Sequence, residues 1–442
     1  MLSSAAVPSD LLVFRAVRAI DPALSTDAVV DVVVDNGRIA RIGPNVGSDA
    51  ARSERARVID PGDYWLVPAF VDLHAHLREP GQEYKEDIQS GLAAAAAGGY
   101  AHVCVMPNTR PVNDTRAVTE LMRARAAECG GPTLHPIAAI TMGQKGKDLT
   151  EMAELRDAGA VGVSDDGVCV MSSAVMRRAL EYAKNFGLPV IQHAEDHELT
   201  QGADMHEGRV SAKLGLRGWP RAAEDVIVAR DLILTEYVRG RYHLAHVSTA
   251  GAIQLVREAK ARGLDVTCEV TPHHLLLTDA AVIGYDTACK VNPPLREPED
   301  VAALRQALAD GTIDAIATDH APHTPLEKDC EFSEASPGMI GLELCFGLLS
   351  QLVGQDGLTL GRLFDALSTR PARIAGIEAP RLAEGALAEL VLIDPQRAWT
   401  PKAAPLRTKS RNTPFLDNEL KGQIVMTLAR GKVVHDTLGG GR

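Results

Sequence analysis

Eight apolar runs of strand length recur along the middle of this 442-residue chain, each ending in polar residues and each followed by a segment with helical spacing. In order they are "WLVPAFVDLHAH", "YAHVCVMPNT", "LHPIAAITMG", "AVGVSDDG", "LPVIQHAED", "YHLAHVST", "LDVTCEVTPHH" and "IDAIATDHAPH". Between them "EDIQSGLAAAAAGG", "TRAVTELMRARAAE", "SSAVMRRALEYAKNFG" and "TAGAIQLVREAKARG" read as helices, often closed by the glycine that a helix end favours. Parallel strands cannot be joined by a tight hairpin, so strand, crossover helix and next strand form the repeating unit. Eight such units close into a (β/α)8 barrel of TIM type, and the expected class is α/β. A chain with 45% hydrophobic residues can fill that core.

The flanks read differently. "AVVDVVVDNGRIARIG" near the start, and "AELVLID" and "IVMTLARGKVVHD" near the end, are short alternating strands with Asn-Gly and Arg-Gly turns. The two ends are expected to fold together as one small β-sandwich domain, built from residues 1–66 and 378–442, around a barrel spanning 67–377.

The C-terminal ends of barrel strands face the active site, so residues there carry functional weight. The first run ends with His74 and His76, the fourth with Asp165 and Asp166, the fifth with His193, the sixth with His246 and the eighth with Asp319. Side chains alternate across a strand, so His74 and His76 project the same way, toward the barrel axis. Taken singly these signals are weak: a His-x-His pair is often only a satisfied pair near a surface, and "SDDG" is usually a turn or a helix cap. Their conjunction at five of eight strand ends points to a metal site. Four imidazoles and at least two carboxylates at one mouth suit zinc or a similar divalent ion, with room for two. His102, His135, His197, His206, His243 and His435 have no place in that set, and His273 and His274 read as packing or supporting groups.

The net charge of −12 argues against a nucleic-acid surface and an anionic membrane face, which reward clustered Lys and Arg. No apolar stretch approaches the roughly 20 residues of a membrane span, and "MLSSAAVPSDLLVF" lacks the basic start and long apolar core of a secretory leader. A cytoplasmic protein is expected. Seven scattered cysteines, never as C-x-x-C, are read as buried reduced thiols rather than a disulfide framework or a cysteine zinc site.

The motifs "DLHAHLREPGQEYKEDIQSGLAAAAAGGY", "VMPNTRPVND", "SDDGV", "QHAED", "LAHVSTA", "EVTPHHL", "KVNPPLR", "ATDHAPH" and "SPGMIGLE" together resemble dihydroorotases, of the class close to dihydropyrimidinases within the amidohydrolase superfamily. The likeness runs from about residue 12 onward, in the family's order. It implies reversible cyclisation of N-carbamoyl-L-aspartate to L-dihydroorotate in pyrimidine biosynthesis. It also implies a two-zinc centre held by His74, His76, His193, His246, Asp319 and a bridging carboxylate. Many relatives bridge with a carboxylated lysine near the end of strand 4. "AVGVSDDGVCV" has none, and the resemblance to a bacterial branch that uses aspartate favours Asp166 over Asp165, with one metal position more weakly held.

A dihydroorotate ring carries a carboxylate, and Arg78, two residues beyond His76, can offer a bidentate grip near the metals. The resemblance adds Asn108 and His323 to that grip, counts His76 among the substrate contacts, and places Asn292 and the backbone of Pro337 and Gly338 against the ring or a loop above it. Arg78 has a plainer alternative, a surface pair with Glu79 or Glu83. The implied mechanism is attack by a hydroxide bridging the two metals, with Asp319 as general acid and base. A homodimer is expected, with aspartate transcarbamoylase as a candidate partner, as in some bacterial relatives. The rival readings are a dihydropyrimidinase, hydantoinase or allantoinase, and a metal-free barrel that serves as an assembly scaffold.

Overall fold

The computed structural model describes residues 11–60 and 62–439, so the stretch 1–10, part of the N-terminus read for a leader, lies outside the described residues. Eight parallel strands pair in chain order: Phe70–Ala75, Tyr100–Val105, Thr133–Ala138, Gly162–Ser164, Val190–Gln192, Tyr242–Leu244, Val266–Val270 and Ala315–Ile316. The eighth strand returns to the first. Thr318 donates its N–H (2.9 Å) and its hydroxyl (2.5 Å) to the buried Asp72 carboxylate, and His76 N–H donates to His320 O at 2.8 Å.

Alternation of side chains makes two apolar layers. Cys104 and Met106 share one cluster with Ile137, Ile191, Ala315 and Ala317. The intervening Val103 and Val105 pack in a second cluster with Val118 and Met122 of the helix Arg116–Cys129. The helices begin where capping residues stop the strand-end loops. Asp87 accepts from Ser90 N at 2.7 Å ahead of Ile88–Ala97, and Thr249 accepts from Ala252 N at 3.1 Å ahead of Ala250–Ala261.

Both chain ends enter one mixed eight-stranded sheet. Trp65–Pro68 lies at its centre, antiparallel to Leu390–Trp399 and parallel to Leu11–Asp21. The sheet folds over: its edge strand Arg38–Gly43 meets the segment leading into Leu390, with Ile39 N–H donating to Ala386 O at 3.0 Å and Gly385 N–H to Ile39 O at 2.8 Å. Phe14, Val32, Leu66, Leu392 and Met426 fill the space enclosed. The turns Asn36-Gly37 (φ 49° and 76°) and Arg430-Gly431 (φ 52° and 74°) have the doubly left-handed form of a tight hairpin. They also touch: a Cβ on Gly431 would lie 2.6 Å from Gly37 O.

Two expectations need correction. The run 65–76 is two strands in two sheets, and the change falls at Ala69, whose N–H bonds Glu389 O at 3.0 Å while Phe70 N–H bonds Gly99 O at 2.9 Å. The thiols are unpaired, but Cys129 and Cys330 are exposed, one at the last residue of a helix and one in a loop beyond Pro325–Lys328.

Candidate active site

The strand ends bring the expected donors together. His74 Nε2 lies 3.3 Å from Asp166 Oδ1 and 3.6 Å from Asp319 Oδ1. His76 Nε2 is 3.2 Å from Asp319 Oδ1 and 3.5 Å from Asp166 Oδ2. On the other side, His246 Nε2 and His193 Nδ1 sit 3.6 and 3.8 Å from Asp166 Oδ1 and 2.9 Å from each other. Donor atoms of His74, His76 and Asp319 form one group within 4.8 Å, and those of His74, Asp166 and His246 a second. The Asp166 carboxylate thus stands between the two halves. His246 and Asp319 have φ of 29° and 46°, strained for non-glycine residues and found where the chain leaves its strand to aim a side chain into the mouth.

Asp165, the neighbouring candidate, faces elsewhere. Its carboxylate accepts from Ile140 N (2.8 Å), Thr141 N (3.0 Å) and Thr141 Oγ1 (2.5 Å), tying the fourth strand end to the third.

Three of the four imidazoles are oriented through their other nitrogen. Glu269 Oε1 holds His74 Nδ1 at 2.9 Å, Glu195 Oε2 holds His193 Nε2 at 3.0 Å, and Asn108 Oδ1 holds His76 Nδ1 at 2.9 Å. These bonds leave His74 Nε2, His76 Nε2 and His193 Nδ1 to present lone pairs to the centre, the usual support for metal-binding histidines. Glu269 is itself held by His243 Nε2 at 3.1 Å, and Glu195 by Thr200 Oγ1 (2.5 Å) and Asn292 Nδ2 (3.2 Å).

These residues fit a divalent cation. His74 Nε2 and Asp166 Oδ1 are buried and have no hydrogen-bond partner, a costly state that a cation between them would relieve. Burial alone would raise the Asp166 and Asp319 carboxyls, but the facing imidazoles outweigh it and hold both well below the usual carboxylate range. Burial would likewise raise Glu195 and Glu269, yet the hydrogen bonds from His193, and from His243 and His74, pull them down to about 2. Among the described residues lining the cavity above the centre there is no lysine that could carry a bridging carbamate.

That cavity encloses about 210 Å³ and is lined by His76, Arg78, Asn108, Asn292, His323, Pro337 and Gly338 beside the candidate donors. Arg78, with φ 62°, is only 8% exposed. Its Nε donates to Pro322 O at 3.1 Å, and its Nη2 lies 3.2 Å from His323 Nε2. Neither acid offered by the surface alternative reaches it: Glu79 bonds Ile88 N (2.9 Å) and Arg125 (3.1 Å), and Glu83 bonds Gly81 N (2.8 Å). Burial without a paired carboxylate lowers the guanidinium to about 10, and burial together with the Arg78 charge lowers His323 to about 3.

A dihydro-orotase-like family profile matches residues 64–252. The dihydroorotase of Anaeromyxobacter dehalogenans is 52% identical over 430 residues, covering 97% of this chain and 98% of its own. That of Geobacter metallireducens is 49% identical over 424 residues, covering 96% and 99%. The chain belongs to the dihydroorotase family. Among solved structures, the L-hydantoinase (dihydropyrimidinase) of Arthrobacter aurescens superposes with a TM-score of 0.86 at 23% identity, over 96% of both chains. A D-hydantoinase from Thermus sp. gives 0.81 at 25%, over 96% and 95%. This likeness is one of fold: a (β/α)8 barrel with a β-domain from both ends.

For a family member, the motifs left several working residues unmarked. Glu195 follows the fifth strand and Glu269 lies within the seventh, where neither stands out in the sequence, and His243, outside the expected set, completes the Glu269 support of His74. The one usable signal was spacing: Glu195 stands two residues beyond His193. His273 and His274 are fully buried behind the seventh strand, where His274 bonds Thr271 Oγ1 at 2.7 Å and Pro293 O at 3.0 Å.

Proposed function

We propose that the cavity binds L-dihydroorotate, opens its ring to N-carbamoyl-L-aspartate and closes it in the reverse direction. The observation that carries this is Arg78, a buried guanidinium with no carboxylate partner among the described residues, directly beside four imidazoles and two carboxylates. A buried charge of this kind is tolerable when a ligand completes it, and a substrate carboxylate does so.

In this reading His74, His76, Asp166, His193, His246 and Asp319 would hold two zinc ions, with Asp166 as the shared carboxylate. Zinc, when bound, supplies Lewis acidity, polarising the ring amide and lowering the pKa of a water from ~15.7 toward ~7. Arg78, Asn108 and His323 hold the substrate carboxylate, and Asn292 Oδ1, buried without a hydrogen-bond partner, accepts from a ring N–H. The Pro337 and Gly338 backbone lines the ring edge, with Pro337 O fixing His323 Nε2 at 3.0 Å. Asp319 takes the proton of the attacking water as the carbon–oxygen bond forms. It returns that proton to the amide nitrogen as the carbon–nitrogen bond breaks, and the reverse order closes the ring.

A neutral dihydropyrimidine ring would leave Arg78 unmatched, which counts against the dihydropyrimidinase reading. Five of the six expected donors fall in the two groups and the sixth, His193, has its Nδ1 2.9 Å from His246 Nε2, which counts against a scaffold without metal. Barrel residues 67–377 carry the chemistry in this account, and segments 1–66 and 378–442 form the supporting domain. We also infer a cytoplasmic homodimer, with aspartate transcarbamoylase as a further candidate partner. Val226, Ile233 and Tyr237, 45, 67 and 72% exposed along the helix Ala222–Val238, support a protein contact there. Sedimentation would test the dimer. The test of the activity is turnover of L-dihydroorotate with zinc quantified in the same sample. Hydrolysis of dihydrouracil without turnover of dihydroorotate would overturn it.

A further inference from the structure

Residues 400–419, between the strands Leu390–Trp399 and Leu420–Ala429, leave the end sheet and cross to the barrel mouth, where they tie together three loops of the site. Thr408 Oγ1 donates to Glu86, Lys409 N–H to Glu86 Oε1 at 3.2 Å, and Ser410 Oγ to Lys85 O at 2.9 Å, which secures the loop after the first strand. Asn412 secures the other two. Its Oδ1 accepts from His323 N–H at 3.1 Å, and its Nδ2 donates to Ala321 O at 2.9 Å and Gly338 O at 3.1 Å. Its own carbonyl accepts from Ile340 N–H at 3.0 Å.

One side chain therefore fixes the main chain on both sides of the cavity rim, and at 7% exposure water cannot readily replace it. The two loops have no slack. Gly338 sits at φ 132°, and a Cβ there would lie 2.7 Å from Ala321 Cβ. The main chain at 321–323 sets where the His323 ring stands against Arg78 Nη2, 3.2 Å away.

We propose that Asn412 is a positioning residue of the substrate site: it holds His323 and the Pro337-Gly338 rim at the separation at which they and Arg78 grip the substrate carboxylate. This rests on the activity proposed above. Asn412 touches neither the metal donors nor the cavity centre, so its loss should act on substrate affinity and selectivity rather than on the proton transfer.

The experiment compares the parent, Asn412→Ala and the isosteric Asn412→Asp, the last keeping an acceptor for His323 N–H while turning an acceptor toward two carbonyls. Each is assayed on L-dihydroorotate and on dihydrouracil, with zinc content and circular dichroism measured on the same samples. The expected result is KM for dihydroorotate raised ~10-fold or more, the scale of one lost buried hydrogen bond. The kcat stays within about threefold, zinc is parental, and the preference for dihydroorotate over dihydrouracil falls in proportion. A folded variant with parental KM and preference overturns the proposal. So does failure of both variants to fold, which would make Asn412 a residue of the fold alone. A parent that does not turn over dihydroorotate would refute the activity reading itself, and the positioning role with it.

Discussion

Replacing Arg78 by Met should make the protein more stable and nearly inactive at once. Burial lowers the guanidinium from 12.5 to about 10 in the folded chain. Its charged form is thus disfavoured on folding, and at neutral pH, below both values, the whole penalty is present: about 3 kcal/mol at 1.36 kcal/mol per pH unit. Met keeps most of the aliphatic length and removes the charge, so Arg78→Met should gain up to about 3 kcal/mol, less what is lost with the Pro322 O hydrogen bond. On the substrate side, a buried charge-assisted pair to a carboxylate is worth roughly 3–5 kcal/mol when one partner is removed, so kcat/KM should fall about 10²- to 10⁴-fold. The assay is kcat/KM for dihydroorotate and dihydrouracil at matched zinc loading, with denaturant unfolding of the zinc-free protein. Zinc content should stay parental because Arg78 is not a metal donor. Activity within a few-fold of the parent, or comparable parental rates on the two rings, would refute the reasoning.

His74→Ala, His76→Ala or His193→Ala should each abolish turnover and lower zinc below two per chain, measured by elemental analysis; undiminished activity in any one removes that residue from the centre. Asp166→Ala should lose zinc, whereas Asp165→Ala should retain it and show its defect in melting temperature, since Asp165 holds the Thr141 turn. Reconstitution with zinc should proceed equally with and without bicarbonate, and a bicarbonate requirement would mean a carboxylated lysine is present. Asp319→Asn should keep the fold while slowing turnover by at least ~10²-fold, and a rate within a few-fold of the parent would exclude the proton-shuttle role.

The barrel was legible because its signal is repeated: eight strand-and-helix units agree, and an error in one is corrected by the others. Single contacts carry no such redundancy. The run 65–76 is apolar from Trp65 to Val71 because both sheets it enters are buried, so its hydrophobic pattern does not mark the crossing at Ala69. Asp165 and Asp166 are adjacent and chemically identical; what separates their roles is Thr141, 24 residues away on the neighbouring strand end. Glu269 reaches His74 across 195 residues, and Asn412 reaches His323 across 89, from a segment that looks like an ordinary loop. Periodicity reports which face of an element is buried. It says nothing of which polar groups meet once the elements close.

The proposed pair of metal ions is consistent with the charges at the mouth. Asp166, Asp319, Glu195 and Glu269 are all at most 8% exposed, and the partners facing them are imidazoles: His74, His76, His193, His246 and His243. Four buried carboxylates without Lys or Arg pairs among the described residues call for cations from outside, or protons on imidazoles whose lone pairs a metal would need free. Two divalent ions carry four positive charges and balance the set with every imidazole neutral, whereas one would leave two carboxylates unmatched. In the proposed reading Arg78 remains as a positive charge beside the donors, and the substrate carboxylate would be the negative charge that meets it. Dihydrouracil brings a scissile amide of the same kind but no such charge, so binding it would bury Arg78 still deeper without a partner, and its rejection is the outcome this electrostatic balance predicts.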